Sequence, residues 1–358
     1  MTLLFFALGL GFLVAGAEFL VKGAARLAGA LGISALVIGL TVVAFGTSSP
    51  ELAVSLKAAL ADQADIALGN VVGSNIFNVL FILGISAVIG PLIVSRQLIR
   101  IEVPLMIALS FLLLLFALDG RLSRLDGLIL VMGLALYLGF AIHQSRRENL
   151  QSVQETGEED HETARSGYLK NLLLVAVGLT LLVIGSRWLV DGAVVFARYL
   201  GVSELIVGLT IVAVGTSLPE VVTSIVAAMR GERDIAVGNV VGSNIFNIMG
   251  VLGFASLVAP TGMAVSSNTI GFDIPIMIAV AFVCLPVFFT GGVISRPEGA
   301  LLLGFYVAYT LYLILAATQH QALATLNSTM LYFVLPLTGI TLLAVTLQEM
   351  RGRKRSPE

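Results

Sequence analysis

Residues 32–78 align without a gap on residues 201–247 at an offset of 169, and 29 of the 47 pairs are identical. A duplication this strong obliges the fold to seat two copies of one unit. The match runs on beyond the block. Glu102-Val103-Pro104 parallels Asp273-Ile274-Pro275, and Ser123-Arg124-Leu125-Asp126-Gly127 parallels Ser295-Arg296-Pro297-Glu298-Gly299.

The solvent for that pair is a bilayer. The chain is 58% hydrophobic and 12% charged, with a mean hydropathy of +1.01, far more apolar than a soluble domain of its length. Taking about 20 apolar residues per span, the sequence predicts eleven, at 2–27, 34–60, 67–90, 98–118, 125–144, 169–197, 203–229, 236–258, 269–290, 299–318 and 329–348. Spans one to five then match six to ten. Five is odd, so the second copy enters the membrane from the opposite side. The predicted fold is an all-α polytopic membrane protein of two inverted-topology repeats of five helices plus an eleventh C-terminal helix. Secondary transporters use such repeats, with substrate sites near the midplane where the copies meet.

The chain divides accordingly into a first repeat (1–144), an acidic cytoplasmic linker (145–168) carrying Glu155, Glu158, Glu159, Asp160 and Glu162, a second repeat (169–318), and an extra span with a basic tail (319–358). Lysine and arginine favour cytoplasmic loops. Lys22, Arg26, Arg96, Arg100, Arg146, Arg147, Arg230, Arg233, Arg296 and the closing Arg351, Arg353, Lys354 and Arg355 fall on one side if the N-terminus is outside and the C-terminus cytoplasmic. The expected location is the cell (plasma or inner) membrane, with the first apolar stretch retained as a span.

Two polar blocks interrupt the apolar spans. Gly46-Thr47-Ser48-Ser49-Pro50-Glu51 recurs as Gly215-Thr216-Ser217-Leu218-Pro219-Glu220. Each carboxylate costs roughly 2.5 kcal/mol or more in mid-bilayer, so a matched pair points to an ion site. Proline removes a helical donor and frees carbonyls of the preceding turn, those of Gly46 and Gly215 among them. Irregular backbone at this depth belongs at a protein interface or a polar cavity. Freed carbonyls, hydroxyls and carboxylates together form an all-oxygen ligand set suited to a hard cation such as Ca²⁺. The second block, Gly69-Asn70-Val71-Val72-Gly73-Ser74-Asn75-Ile76-Phe77-Asn78, recurs as Gly238-Asn239-Val240-Val241-Gly242-Ser243-Asn244-Ile245-Phe246-Asn247. Ser74 and Asn78 share a helical face. The glycines read as close-packing sites that let spans three and eight approach the broken spans two and seven.

These paired motifs resemble the alpha-repeats of the cation/calcium exchangers, of which the sodium/calcium exchanger is the familiar member, and the resemblance covers ten of the eleven spans. It implies alternating-access antiport of Ca²⁺ against Na⁺, in the direction of Ca²⁺ export. The ligands it implies are the Ala44 carbonyl, Thr47, Ser48, Glu51, Ser74 and Asn78, with the Ala213 carbonyl, Thr216, Ser217, Glu220, Ser243 and Asn247 in the second half. Relatives often carry aspartate at one of the positions held here by Asn78 and Asn247. This site would hold two formal negative charges, which balance one Ca²⁺ but not three Na⁺. A proton is the rival counter-ion, because burial disfavours a charged carboxyl.

The expected partners are small inorganic cations and the lipid bilayer, with no cofactor, no nucleic acid and no required protein. An enzyme is not expected: His143, His161 and His320 lie at span ends or in loops, and Cys284 sits alone in an apolar run. A passive channel could use the same glutamates, but channels arrange rings of like subunits, whereas inverted halves in one chain suit two access states. Asp126 and Glu298 read as capping-box acids, Glu102 and Asp273 as helix-start acids, and Glu18 as a snorkelling or paired structural charge.

Overall fold

A computed structural model describes residues 2–156, 167–289 and 291–340. Glu158, Glu159, Asp160, Glu162 and His161, the basic tail and the end of the eleventh predicted span lie outside the described residues. The chain is helical almost throughout. In order the helices are α1 (Thr2–Leu31), α2 (Ala35–Thr47), α3 (Ser49–Leu60), α4 (Ala64–Ile89), α5 (Leu98–Ala117), α6 (Arg124–Thr156) and α7 (Tyr168–Tyr199). Then come α8 (204–215), α9 (Leu218–Met229), α10 (Arg233–Val258), α11 (Thr269–Phe289), α12 (Arg296–Ala317) and α13 (Ala322–Ile340).

Among the described residues nine helices are long and apolar enough to cross a membrane, or ten if α2 and α3, bent by 47°, count as one broken span. The predicted seventh span is broken in the same place, between α8 and α9. Two boundaries differ from expectation. Helix α6 runs on to Thr156, well past residue 145, because Gln144, Arg146, Arg147 and Glu148 are good helix formers with nothing to stop them. Helix α13 begins at Ala322 rather than 329.

The halves mirror each other element by element. Turns of π-helix fall at Gly39–Val43 and Gly208–Val212, at Asn78–Leu83 and Asn247–Leu252, and at Leu98–Glu102 and Thr269–Asp273. Such turns recur at functional sites because each frees backbone groups from the regular ladder. Short antiparallel strands cross-link the halves, β1 (Leu92–Ile93) with β4 (Val293–Ile294) and β2 (Arg121–Leu122) with β3 (Met263–Ala264). Asp126 and Glu298 cap their helices as expected: each accepts from the backbone N–H and hydroxyl of the serine three residues before, Ser123 or Ser295, at 2.7–2.8 Å.

Helices α4 and α10 fill the centre, with 72% and 89% of their apolar stretches buried, while only 6% of α12 is. Helices α1 and α7 cross at backbone contact. A Cβ on Gly16 would stand 2.8 Å from the Gly178 carbonyl oxygen, and one on Gly185 would stand 2.7 Å from that of Gly9. Lipid tails compete equally for apolar side chains, so this close approach of small residues is what joins the two helices. Gly178→Val should therefore cost about 1–3 kcal/mol by overpacking. Gly11→Val, where nothing lies within 4 Å, should leave thermal unfolding of the purified protein near wild type.

Candidate functional site

The two breaks set the site. Ser48 (φ −81°, ψ 6°) and Ser217 (φ −89°, ψ 6°) sit in the sparsely populated bridge region, each followed by a proline in the first turn of the next helix. That geometry starts α3 and α9 in the middle of the protein and puts Glu51 and Glu220 in their first turns, where the helix dipole favours an acid. Both glutamates are fully buried. Each is held by the opposite half: the Ser217 hydroxyl donates to Glu51 Oε1 at 2.7 Å, and the Ser48 hydroxyl donates to Glu220 Oε1 at 3.0 Å. Contacts that exchange partners in this way are the mark of a two-fold axis. Ser217 also lies 3.2 Å from the Ser74 hydroxyl.

The threonines are pinned across the axis by asparagines. Thr47 donates to Asn239 Oδ1 at 3.0 Å, and Asn239 Nδ2 reaches Ser224 Oγ at 3.0 Å and the Glu220 carbonyl at 3.4 Å. In the mirror position Thr216 donates to Asn70 Oδ1 at 3.4 Å, while Asn70 Nδ2 donates to Ser55 Oγ and the Glu51 carbonyl. The Ala44 carbonyl is not idle, since it accepts the Ser48 N–H at 3.0 Å. Ser217 N–H bonds Val214 instead, one residue nearer than the matching Ala213.

Deeper in, Asn78 Nδ2 donates to Asn244 Oδ1 and Asn247 Nδ2 to Asn75 Oδ1, both at 3.0 Å. Among the described residues Glu51 Oε2, Glu220 Oε2, Asn78 Oδ1, Asn247 Oδ1 and Ser243 Oγ are buried with no hydrogen-bond partner. The Ser86, Thr223 and Ser256 hydroxyls are unpartnered too, but the five oxygens above belong to the two repeated motifs and include both carboxylates, which is the donor chemistry a hard cation takes. Among the described residues no three His, Cys, Asp or Glu side chains gather, so the charge of this oxygen set is that of two glutamates.

The two sides of the site are unequally closed. The π turn of α2 lies against α10: a Cβ on Gly242 would meet Leu40 Cα at 2.6 Å, and one on Gly238 would meet the Leu36 carbonyl at 2.9 Å. Among the described residues, Gly69 and Gly73, their counterparts on α4, have nothing within 4 Å. Ala44 and Thr47 are fully buried, whereas Ala213 is exposed and Thr216 half-buried. The close packing expected of both glycine pairs thus holds for one.

All twelve residues singled out from sequence belong to the paired breaks or to the α4 and α10 segments packed beside them. Sequence reasoning passed over Asn70, Asn75, Asn239 and Asn244, although each is a mid-span polar residue identical in both copies. Glu102 stands at a helix start as expected, the N-cap of the α-helical stretch Val103–Ala117 with Pro104 in its first turn. It ends a π turn, is 1% exposed, and accepts from the Tyr137 hydroxyl at 2.7 Å and Gln97 Nε2 at 2.9 Å. Glu18 is a paired charge, 2.6 Å from Arg230.

The sequence matches the family described as sodium/calcium exchanger protein over residues 1–143 and 170–315. It is 34% identical to the sodium/calcium exchanger MaX1 of Methanosarcina acetivorans, over 87% of this chain and 98% of that protein. It is 41% identical to the inner membrane protein YrbG of Escherichia coli (strain K12), over 71% and 79% respectively. The fold superposes on the sodium/calcium exchanger from Methanococcus jannaschii with a TM-score of 0.73 and 31% identity, covering 86% of this chain and 97% of that one.

Proposed function

The chain is a multi-pass membrane protein of the sodium/calcium exchanger family, and from that premise we propose that it exchanges Ca²⁺ against Na⁺ by alternating access and exports Ca²⁺ from the cell. The observation that carries the reading is the set of unpartnered buried oxygens on Glu51, Glu220, Asn78, Asn247 and Ser243. Two carboxylates balance one divalent ion, and a flexible all-oxygen set suits Ca²⁺. The ligands proposed are those of the two motifs: the Ala44 carbonyl, Thr47, Ser48, Glu51, Ser74 and Asn78, with the Ala213 carbonyl, Thr216, Ser217, Glu220, Ser243 and Asn247. Ca²⁺ and Na⁺ are cargo, and no resident cofactor is required. The protein would sit in the plasma or inner membrane with its N-terminus outside.

A second reading, Ca²⁺ against H⁺, is favoured by one observation. Each glutamate leaves one oxygen without a donor, which a proton would serve as well as a cation. The deciding assay is uptake of radiolabelled Ca²⁺ into proteoliposomes under an outward Na⁺ gradient, an outward H⁺ gradient, or neither, at matched membrane potential. Faster uptake with Na⁺ alone supports the first reading and with H⁺ alone the second; equal uptake in all three conditions overturns antiport.

Glu51→Gln or Glu220→Gln removes half the compensating charge and should weaken Ca²⁺ binding by about 3 kcal/mol or more, on the order of a hundredfold. Binding within a fewfold of wild type in either variant would remove these ligands.

The unequal glycine contacts fit a transporter caught with one side closed. By the two-fold relation, the other access state would seat the π turn of α8 on Gly69 and Gly73 and lift that of α2 off Gly238 and Gly242. Gly73→Val meets no obstacle among the described residues but would overpack the alternative state by about 1–3 kcal/mol. It should cut exchange about tenfold or more while Ca²⁺ binding to the purified protein persists. Exchange at the wild-type rate would contradict this gate.

A further inference from the structure

We propose that Asn75 and Asn244 are positioning residues that force the amides at 78 and 247 to present oxygen, not nitrogen, to the cation; the proposal rests on the ion site described above. The direction of each hydrogen bond follows from one fixed point, a backbone carbonyl, which can only accept. Asn244 Nδ2 donates to the Asn75 carbonyl at 3.3 Å, so Asn244 turns Oδ1 toward Asn78. Asn78 must then offer Nδ2 to that oxygen, at 3.0 Å, which leaves its own Oδ1 as the unpartnered end. The second relay runs the opposite way across the axis. Asn75 Nδ2 donates to the Asn244 carbonyl at 3.3 Å, Asn75 Oδ1 accepts from Asn247 Nδ2 at 3.0 Å, and Asn247 Oδ1 is left unpartnered.

Two thioethers reinforce the orientation. Met106 Sδ lies 3.4 Å from Asn244 Nδ2 and Met277 Sδ 3.6 Å from Asn75 Nδ2, and a thioether is a weak acceptor only. A flipped amide at 78 would face Asn244 Oδ1 with a second oxygen and the cation with an NH₂ group, so both of its ends would be wrong. All four asparagines are at most 2% exposed, so water is not at hand to mend either error. The relay therefore supplies two neutral oxygens of fixed sense and adds no charge to the two glutamates.

The relay has a consequence that packing alone does not. A carboxylate has oxygen at both ends and needs no orienting. If Asn244 acts by orientation, its loss should weaken binding only while position 78 is an amide. The test is a double-mutant cycle read by calorimetric titration of Ca²⁺ alone into the purified full-length protein. In the wild-type background Asn244→Ser should weaken Ca²⁺ binding about 10- to 100-fold, the usual cost of losing a residue that orients a metal ligand. In the Asn78→Asp background, where a carboxylate oxygen would face Asn244 Oδ1, the same change should leave Ca²⁺ binding unweakened or strengthen it. An equal loss in both backgrounds, or no loss in the first, overturns the relay.

The symmetry-related cycle, Asn75→Ser with and without Asn247→Asp, carries the same expectations and serves if the first pair does not fold. Glu51→Gln in the same titration separates the two levels of the proposal. If it binds Ca²⁺ like wild type, the site itself is wrong. If it loses binding while Asn244→Ser costs the same in both backgrounds, only the relay is.

Discussion

Two glutamates buried in the middle of an apolar protein are the constraint on which the rest depends. Each is kept by a serine from the other half, Ser217 for Glu51 and Ser48 for Glu220. Neither half can hold its acid alone, because the serine beside each glutamate serves the opposite one. The duplication is thus a physical requirement of the site as well as a record of its origin. The helix breaks follow from the same need. Only where a helix starts afresh, with proline relieving the first turn of a donor, does a carboxylate near mid-membrane gain a dipole to rest on. The backbone irregularity this leaves is tolerated because α4 and α10 enclose it, and those are the most buried helices after which the other elements are arranged.

How much of this the sequence discloses depends on the kind of interaction. The repeat, the broken spans and the oxygen-rich motifs are legible because they are matters of residue type and spacing. Capping at Asp126 and Glu298 is legible for the same reason, being local. The asparagine relay is not, since its meaning lies in which end of each amide faces which neighbour, and that is set by carbonyls 169 residues away in the chain. The helix-start position of Glu102 is legible too, but its partner Tyr137 lies on the next helix, out of reach of any local rule. The extent of α6 is not legible, because the helix formers after residue 145 carry it on to Thr156, while Glu158, Glu159, Asp160 and Glu162 lie outside the described residues.

The state of the site is the least legible feature of all. Gly69 and Gly73 stand in the same decapeptide as Gly238 and Gly242, residue for residue. One pair is packed to the limit of backbone contact and the other has no neighbour within 4 Å among the described residues. Identical sequence in unequal surroundings means the sequence encodes the contact and not which copy makes it. A two-fold protein in a symmetric arrangement would have its site equally open or equally closed on both sides, and neither is useful for moving an ion. The inequality is what the fold adds to the duplication.

The halves are not, however, perfectly interchangeable. Helix α1 leans on α9, where Glu18 meets Arg230, and the positions that would repeat this contact on the other side are Arg187 and Ala61. Alanine cannot accept from arginine, so the tie exists in one arrangement only. Both side chains lie at the surface of the protein and not in its core, which makes the pair a bias on the balance of states and not a lock. Sequence identity between the copies is concentrated in the two motifs that surround Glu51 and Glu220. Sequence difference is tolerated at the rim, where an unequal charge can favour one resting state without altering the ligands. A transporter built on duplication can in this way keep one symmetric site and still prefer one side of the membrane.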